Sequence, residues 1–263
     1  NSERRTVLFS ATMPKQILNL AKTYMTDYEH VKVEKKMSDT SLTKQYYCEV
    51  RQSDKAEVLC RLMDSEEVFY GFVFCRTKRE ADELNETLVR RKYDSEALHG
   101  DLSQAQRQRV LQKFRDKESA VLVVTDVASR GIDISGLTHV VNFSLPQQVE
   151  SYVHRIGRTG RAGKSGTIYT LLTPSECKKL RPFQKVVNNV IEELAIPSIS
   201  DVMGKKRALV FDKLLKGAQG TVKEEFVDAA KELVEKEDAI LLLAKSLELS
   251  FEKAFCESDY EKI

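Results

Sequence analysis

The chain has 263 residues, of which 41% are hydrophobic and 31% charged, and its formal net charge is +2. The length predicts one large or two modest domains, and the composition is that of an ordinary globular protein. The sequence shows neither an apolar run of about 18 residues nor a recognisable signal peptide, so we expect no membrane span and no secretory leader.

Charge is unevenly distributed along the chain. Residues 195–263 hold 11 lysines and arginines against 14 aspartates and glutamates, a net charge of −3, whereas the preceding residues carry +5. A polyanion site is therefore expected before residue 195. The five cysteines are odd in number, scattered and without a CxxC pair, which argues against a disulfide framework or a zinc site and favours the reducing cytoplasm.

The first segment is predicted to be a small βαβ piece. Residues 5–11 (RTVLFSA) predict a buried strand, residues 14–25 a helix and residues 30–34 a short alternating strand. Such a piece is too small to form a core alone. Because it also opens almost directly into a strand without an initiator Met, we expect a fragment of a longer protein. A polar linker follows at residues 37–43.

Strands and helices alternate regularly over residues 44–194. Strands are predicted at 44–50, 71–77, 93–98, 120–126, 138–146 and 166–174. Helices are predicted at 53–63, 78–91, 102–115, 149–156 and 175–194, with Ser53 and Ser103 as N-caps and Pro182 as a point of interruption. This alternation predicts an α/β fold with a doubly wound, mostly parallel sheet, whose ligands bind at the carboxyl ends of the strands.

One basic, glycine-rich stretch stands out at residues 149–166 (VESYVHRIGRTGRAGKSG). It begins as an amphipathic helix and then presents His154, Arg155, Arg158 and Arg161 among three glycines. Guanidinium groups are planar, permanently charged and bidentate, so this spacing suits phosphate oxygens. The alternative interpretation is a solvated basic loop.

The last segment is predicted to be helical. A Pro/Ser-containing hinge is expected at residues 195–207 and a small all-α segment at 208–263. Residues 240–247 (ILLLAKSL) are apolar nearly all round, and a helix of that kind requires burial. The segment is too short to bury itself, so we expect it to dock on the preceding domain or on a second copy of the chain.

Six motifs stand in a fixed order and resemble those of the DEAD-box family of superfamily 2 RNA helicases. They are SATMP (10–14), VFCRTKREAD (73–82), LHGDLSQAQRQRVLQKFR (98–115), VTDVASRGIDI (124–134), VVNFSLP (140–146) and HRIGRTGRAGKSG (154–166). The resemblance implies two RecA-like domains with ATP in the cleft between them and RNA across both. Residues 1–36 would end the first domain, and residues 44–194 would form the second.

The sequence departs from the family in three motifs that it does not contain. These are the phosphate-binding GxxxxGK[ST], the DEAD tetrapeptide and the adenine-recognising Q motif. The resemblance therefore implies that the main groups binding ATP and Mg²⁺ belong to an N-terminal RecA-like domain of the same protein. We expect this chain alone to be inactive as an ATPase.

The resemblance also implies roles for individual residues. Arg158 and Arg161 match the arginine fingers that meet the γ-phosphate, and His154 and Arg155 match residues that couple the two domains. Asp133, supported by Gly131 and Arg130, matches the motif carboxylate that contacts either the ATP ribose or the arginine fingers. Positions that hold the RNA backbone are matched by Arg76, Thr77, Gly100, Gln104, Arg107, Thr125 and Arg130.

Some assignments keep an alternative. Ser10 and Thr12 match the motif that couples hydrolysis to unwinding, but they also suit the end of a strand. Asp101 and Asp126 suit either a site role or a helix N-cap.

The function implied by the resemblance is ATP-dependent local unwinding of RNA duplexes. The alternatives are a non-catalytic RNA-binding and dimerisation module and a DNA translocase of the same superfamily. The tail at 208–263 resembles the dimerisation region of bacterial cold-shock-type DEAD-box helicases, which implies a homodimer; the alternative is an intramolecular helical cap.

Overall fold

The computed structural model describes residues 6–9, 13, 15–25, 27–31, 43–160, 163–187, 190–257 and 260–263. Two compact units make up the chain, residues 1–40 and residues 41–263.

The first unit contains helix α1 (Lys15–Tyr24), as predicted. The strand predictions at 5–11 and 30–34 are wrong over the residues that the structure describes there, 6–9 and 30–31, which form no strand. Val7 and Phe9 are exposed. A strand is stable only when a neighbour pairs with its backbone groups, and the described residues of this unit include no such neighbour.

The second unit is built on a parallel sheet of seven strands, counted over its described residues. The strands are β1 (Thr43–Glu49), β2 (Gly71–Cys75), β3 (Ser95–Leu98), β4 (Val121–Thr125), β5 (His139–Asn142), β6 (Gly166–Leu172) and β7 (Ile191–Glu193). Their order is β3-β4-β2-β5-β6-β1-β7, and every pairing is parallel. This architecture confirms the predicted RecA-like α/β fold.

Seven of the described helices belong to the α/β part of the second unit, and the helices of the tail follow later in the chain. Those of the α/β part are α2 (Lys55–Asp64), α3 (Lys78–Arg90), α4 (Gln104–Arg115), α5 (Asp126–Ser129), α6 (Val149–Ile156), α7 (Pro174–Cys177) and α8 (Arg181–Val186). Strand β2 is buried along its whole length, because apolar clusters cover both faces of the sheet.

The predicted helix caps have different outcomes. Ser103 caps α4 as predicted: its hydroxyl accepts from the Gln106 N–H at 3.3 Å, and the Gln106 side chain returns a bond to the Ser103 N–H at 2.9 Å. The prediction for Ser53 is wrong. A 3₁₀ turn precedes α2, and the Ser53 hydroxyl donates to the Asp54 carboxylate at 2.7 Å instead of capping the helix.

The predicted helix at 175–194 is also wrong in its second half. Two short helices, α7 and α8, replace its first part, and Pro182 lies in the first turn of α8. The chain then forms β7, with Ile191 opposite Gln45 of β1. Pairing with β1 satisfies backbone groups that an edge strand otherwise leaves open, and it buries Ile191.

The tail forms three helices, α9 (Ile199–Ala218), α10 (Glu224–Val234) and α11 (Ala239–Phe255). Ser198 and Asp201 form a capping box at the start of α9, so residues 199–207 of the predicted hinge are helical. Val202 and Met203 of α9 are buried with Tyr260 in a small apolar cluster. The predicted burial of 240–247 is not achieved within the chain, because Ile240, Leu241 and Leu243 stay more than half exposed.

Candidate functional site

The candidate site lies at the carboxyl edge of the sheet, where β4, β2 and β5 end side by side. In the ladder Cys75 lies opposite Thr125, and Phe74 lies opposite Asn142. The turns that follow these strands therefore meet at one edge, although they are far apart in the sequence.

Arg155 of α6 lies in the interior of this edge. Its Nε and Nη2 donate to the two carboxylate oxygens of Asp126 at 2.6 and 2.8 Å. Its Nη1 donates to Asn142 Oδ1 at 3.0 Å and to the Ser144 carbonyl at 2.8 Å, and the guanidinium carbon lies 4.9 Å from the centre of the Phe74 ring. With a side chain only 2% exposed, Arg155 holds strand ends together and does not face a ligand.

Arg158 follows one helical turn later, and the structure places it against the loop after β4. Its Nη1 donates to the Ile132 carbonyl at 2.7 Å. Ile132 lies between Gly131 and Asp133, which are both exposed. Gly131 has φ of +71°, a conformation that glycine adopts without strain. The structure therefore brings together three of the residues assigned to the nucleotide.

The remaining residues of the basic stretch are His154, assigned to coupling of the two domains, and Arg161, assigned as the second arginine finger. His154 is exposed on α6, whereas the adjacent Arg155 is buried. Arg161, which is the second predicted arginine finger, lies outside the described residues, as do Ser10 and Thr12.

The residues assigned to RNA line the β3–β4–β2 side of the edge. Thr77 caps α3 by accepting the Glu80 N–H at 3.1 Å. Arg107 Nη2 donates to the Ala128 carbonyl at 2.7 Å and so ties α4 to α5. Arg76, Gly100, Gln104 and Arg130 are exposed, and Thr125 is half-buried.

The alternative interpretation of Asp101 and Asp126 as N-caps is wrong. Ser103 caps α4, and Asp101 instead accepts from Lys78 Nζ at 2.6 Å, a hydrogen bond that lowers the pKa of Asp101. Thr125 occupies the N-cap position of α5, and the carboxylate of Asp126 belongs to Arg155.

Sequence reasoning missed a second ion-pair group at the same edge. Lys55, 1% exposed, donates to the Phe143 carbonyl at 3.0 Å and pairs with Glu176 at 3.3 Å. Burial lowers the pKa of Lys55. Glu176 also accepts from Arg76 at 2.9 Å. These partners lie directly after β2 and β5 and on α2 and α7, and no local sequence pattern connects them.

The tail offers a surface of a different kind. Tyr260 bonds to Asp64, Lys206 Nζ pairs with Asp64 at 2.7 Å, and Arg91 pairs with Glu261 at 3.0 Å, so α9 and the terminal segment are anchored on the α/β part. The apolar surface of the tail is the set of its large apolar side chains that remain exposed: Phe211, Leu214, Leu215, Val222, Phe226, Val227, Leu233, Val234, Ile240, Leu241, Leu243 and Leu249.

Two features are absent from the part of the chain that the structure describes. No group of three or more His, Cys, Asp or Glu side chains is placed to hold a metal ion. No helix there combines the length and the apolar character needed to cross a membrane.

The sequence and the fold both match known proteins. The family model of the helicase conserved C-terminal domain matches residues 54–163. The DEAD-box ATP-dependent RNA helicase CshA of Geobacillus kaustophilus is 43% identical over 248 residues, which are 94% of this chain and 53% of that protein. The chain spans about half the length of the curated relatives it matches.

Three solved structures are similar to this one. A DEAD box protein from Methanococcus jannaschii is 46% identical, with a TM-score of 0.56, over 74% of this chain and 52% of that one. The E. coli DEAD-box protein SrmB, solved with regulator of ribonuclease activity A, is 32% identical, with a TM-score of 0.55, over 59% and 91%. S. cerevisiae Dbp5 bound to RNA and ADP BeF3 is 28% identical, with a TM-score of 0.65, over 76% and 54%. The chain therefore belongs to the DEAD-box family of superfamily 2 helicases, and it contains the conserved C-terminal domain of that family.

Proposed function

We propose that the full-length protein is an ATP-dependent RNA helicase and that this chain supplies one wall of its ATPase site and half of its RNA site. The observation that carries the proposal is the position of Arg158. Its guanidinium is held on the Ile132 carbonyl between Gly131 and Asp133, at the edge where parallel sheets bind ligands. The name of the CshA relative supports both ATP and RNA as ligands.

The described residues of this chain suit contacts with the γ-phosphate and the ribose of a nucleotide, but not with its other groups. Arg158 supplies a charged, planar donor. Gly131 has no side chain and faces open space, since a Cβ there would meet nothing within 4 Å, so a ligand can approach its backbone closely. ATP, with Mg²⁺, supplies the phosphoryl group whose transfer to water drives the cycle. Arg158, with Arg161, would donate to the γ-phosphate and stabilise the charge that develops on it. Asp133 would hold the ribose, and the N-terminal RecA-like domain would supply the phosphate loop and the metal ligands.

RNA would bind across the other side of the same edge. The threonine, glutamine and arginine side chains and the glycine backbone there suit phosphate and sugar, which carry no sequence information. Binding should therefore tolerate any sequence and weaken steeply with salt. The structure of yeast Dbp5 with RNA supports RNA as the ligand. Closure of both domains on one strand would bend that strand and melt a short duplex locally.

A homodimer through residues 208–263 is part of the proposal. Anchoring of α9 and Tyr260 on the α/β part covers one side of the tail, as the intramolecular alternative expects. The apolar surface of the tail remains exposed, and exposed large apolar side chains gathered on one helical segment favour an interface. A second copy of the chain would cover it.

A cytoplasmic location is proposed from the thiols. Cys48, Cys60 and Cys75 are buried, and burial raises the pKa of Cys48 to about 12 and that of Cys60 to about 11. Such thiols stay protonated and unreactive, and a reducing compartment preserves them.

The test is an ATPase assay on the full-length protein carrying Arg158→Ala. Loss of the finger should lower RNA-stimulated turnover by about 10³-fold or more, while RNA binding survives because Arg158 lies on the nucleotide side. Arg79→Ala is the matched control, since Arg79 is an exposed arginine paired only with Glu83 on the surface of α3.

Turnover at the wild-type level in both Arg158→Ala and Arg161→Ala would rule out the finger assignment. The same assay separates the alternatives: a non-catalytic module binds RNA without hydrolysing ATP, and a DNA translocase is stimulated by DNA. The chain alone should show no hydrolysis.

A further inference from the structure

We infer that Glu80 and Ser144 are positioning residues that transmit the state of the RNA-binding turn after β2 to the arginine finger on the far side of the sheet edge. The inference rests on the proposed function. Neither side chain would touch RNA or nucleotide; both act through Arg155.

The first step is the carboxylate of Glu80. Its Oε2 accepts the backbone N–H of Arg76 at 2.6 Å, and its Oε1 accepts the hydroxyl of Ser144 at 2.7 Å. Helix α3 already has its cap in Thr77. A simple capping box would return a bond to the Thr77 N–H. Here the carboxylate instead reaches the preceding residue and the end of another strand.

The second step is Ser144, which follows β5 and is 3% exposed. Its hydroxyl bonds to Glu80, its N–H donates to the Phe74 carbonyl at 3.2 Å, and its own carbonyl accepts from Arg155 at 2.8 Å. One buried residue thus joins the turn at Arg76 to the guanidinium of Arg155. Because the interior is close-packed, a shift of that turn displaces the acceptor of Arg155.

The third step leads from Arg155 to the finger. The backbone N–H of Arg158 donates to the Arg155 carbonyl at 3.0 Å, one helical turn along. Arg155 also holds Asp126, which directly follows the RNA-assigned Thr125. Two turns assigned to RNA therefore converge on one guanidinium: the β4 turn directly, and the β2 turn through Glu80 and Ser144.

The test is steady-state ATPase kinetics of the full-length protein with polyuridylate as the RNA. Glu80→Ala and Ser144→Ala should each lower the RNA-stimulated kcat about tenfold, the size expected for loss of one charge-assisted hydrogen bond. KM for ATP and the affinity for RNA should change by less than about twofold, because neither residue binds a ligand. The double variant should be no slower than either single one, since both changes break the same connection.

Two further variants separate positioning from structural support. Glu80→Gln should restore most of kcat, because the amide oxygen can accept from Arg76 while the amide nitrogen donates to the Ser144 hydroxyl. Glu83→Ala is the matched control: it removes a carboxylate one turn later on α3 that pairs only with exposed Arg79, and it should behave as wild type.

A wild-type kcat in Glu80→Ala, additive losses in the double variant, or failure of Glu80→Gln to recover would each overturn the inference. Ser144 is buried, so if Ser144→Ala loses stability the two Glu80 variants, at a partly exposed position, carry the test. Arg158→Ala, measured in the same series, distinguishes failure of the Glu80–Ser144 connection from failure of the proposed function. If Arg158→Ala is inactive and Glu80→Ala is normal, only the connection fails; if Arg158→Ala is normal, the proposed function fails.

Discussion

Removing the carboxylate that pairs with Arg155 should destabilise the domain strongly. Asp126→Ala leaves a guanidinium that is 2% exposed without the acceptors of its Nε and Nη2. A buried charge that loses its partner costs about 3–5 kcal/mol. Arg155 keeps Asn142 and the Ser144 carbonyl, and water can replace a carboxylate that is itself 35% exposed. We therefore expect a loss of about 2–3 kcal/mol.

This loss can be measured by urea denaturation of the present chain followed by circular dichroism. In a thermal melt of the same chain, Asp126→Ala should lower the melting temperature by about 4–12 °C for a domain of this size. Asp126→Asn, which keeps one oxygen acceptor but turns an amide donor towards the guanidinium, should lose roughly half as much. Asp101→Ala is the matched control, because Asp101 also follows a strand at this edge but pairs with the exposed Lys78.

The comparison between the two aspartates decides the argument. If Asp126→Ala unfolds at the same urea concentration as Asp101→Ala, the Asp126–Arg155 pair adds nothing beyond an exposed ion pair. Burial would then not be the reason for its strength, and the description of Arg155 as the residue that holds the strand ends together would be refuted.

Two further predictions concern the tail. A chain that ends at residue 207 should sediment as a monomer, whereas the 263-residue chain should sediment as a dimer. Leu241→Glu should dissociate the dimer, because it places a charge on the apolar surface of the tail. A monomer in all three cases would refute the dimer. Hydrogen bonds from Ser198 lower the pKa of Asp201, so this cap stabilises α9 fully above the ordinary pKa of the carboxyl group and its contribution is lost as pH falls through the lowered pKa. The protection factor of amides in the first turn of α9, which is the intrinsic exchange rate at a given pH divided by the observed rate, should therefore fall on acidification in the wild type but depend less on pH in Asp201→Ala. Equal pH dependence of the protection factor in both would contradict the role of the cap.

The fold was predictable where periodicity and length act locally. Strand β2 is a continuous apolar run and is buried on both faces, and Ser103 with Gln106 is a local capping pattern. The errors arise where long-range pairing decides. Residues around Ile191 have helical spacing, but β1 offers an unpaired edge, and the hydrogen bonds it provides outweigh the local preference.

The candidate site divides in the same way. Arg158, Gly131 and Asp133 were recognised from motifs, and the structure brings them together. Glu80 and Ser144 were not recognised, because their contact joins positions 64 residues apart and neither residue type is unusual in its own segment. Sequence patterns reveal residues that carry a chemical group to the surface; they do not reveal the buried partners that fix where that group points.

The buried hydrogen-bond partners of Arg155 determine how much rearrangement is left for ligand binding to bring about. Arg155 makes four hydrogen bonds to the ends of β4 and β5, and α6 cannot rotate without breaking them. Arg158 lies in the turn directly after α6, where its backbone N–H donates to the Arg155 carbonyl and its side chain to the Ile132 carbonyl, so the finger is already oriented in the domain by itself. Preorganised donors require little rearrangement when charge develops on a phosphate. In the proposed mechanism, ATP and RNA bring the opposite wall of the cleft to a finger that is already close to its working orientation, and the connection through Glu80 and Ser144 adjusts that orientation when RNA occupies the turn after β2. A mutation that loosens Arg155 should therefore slow turnover even though it removes no contact with either ligand.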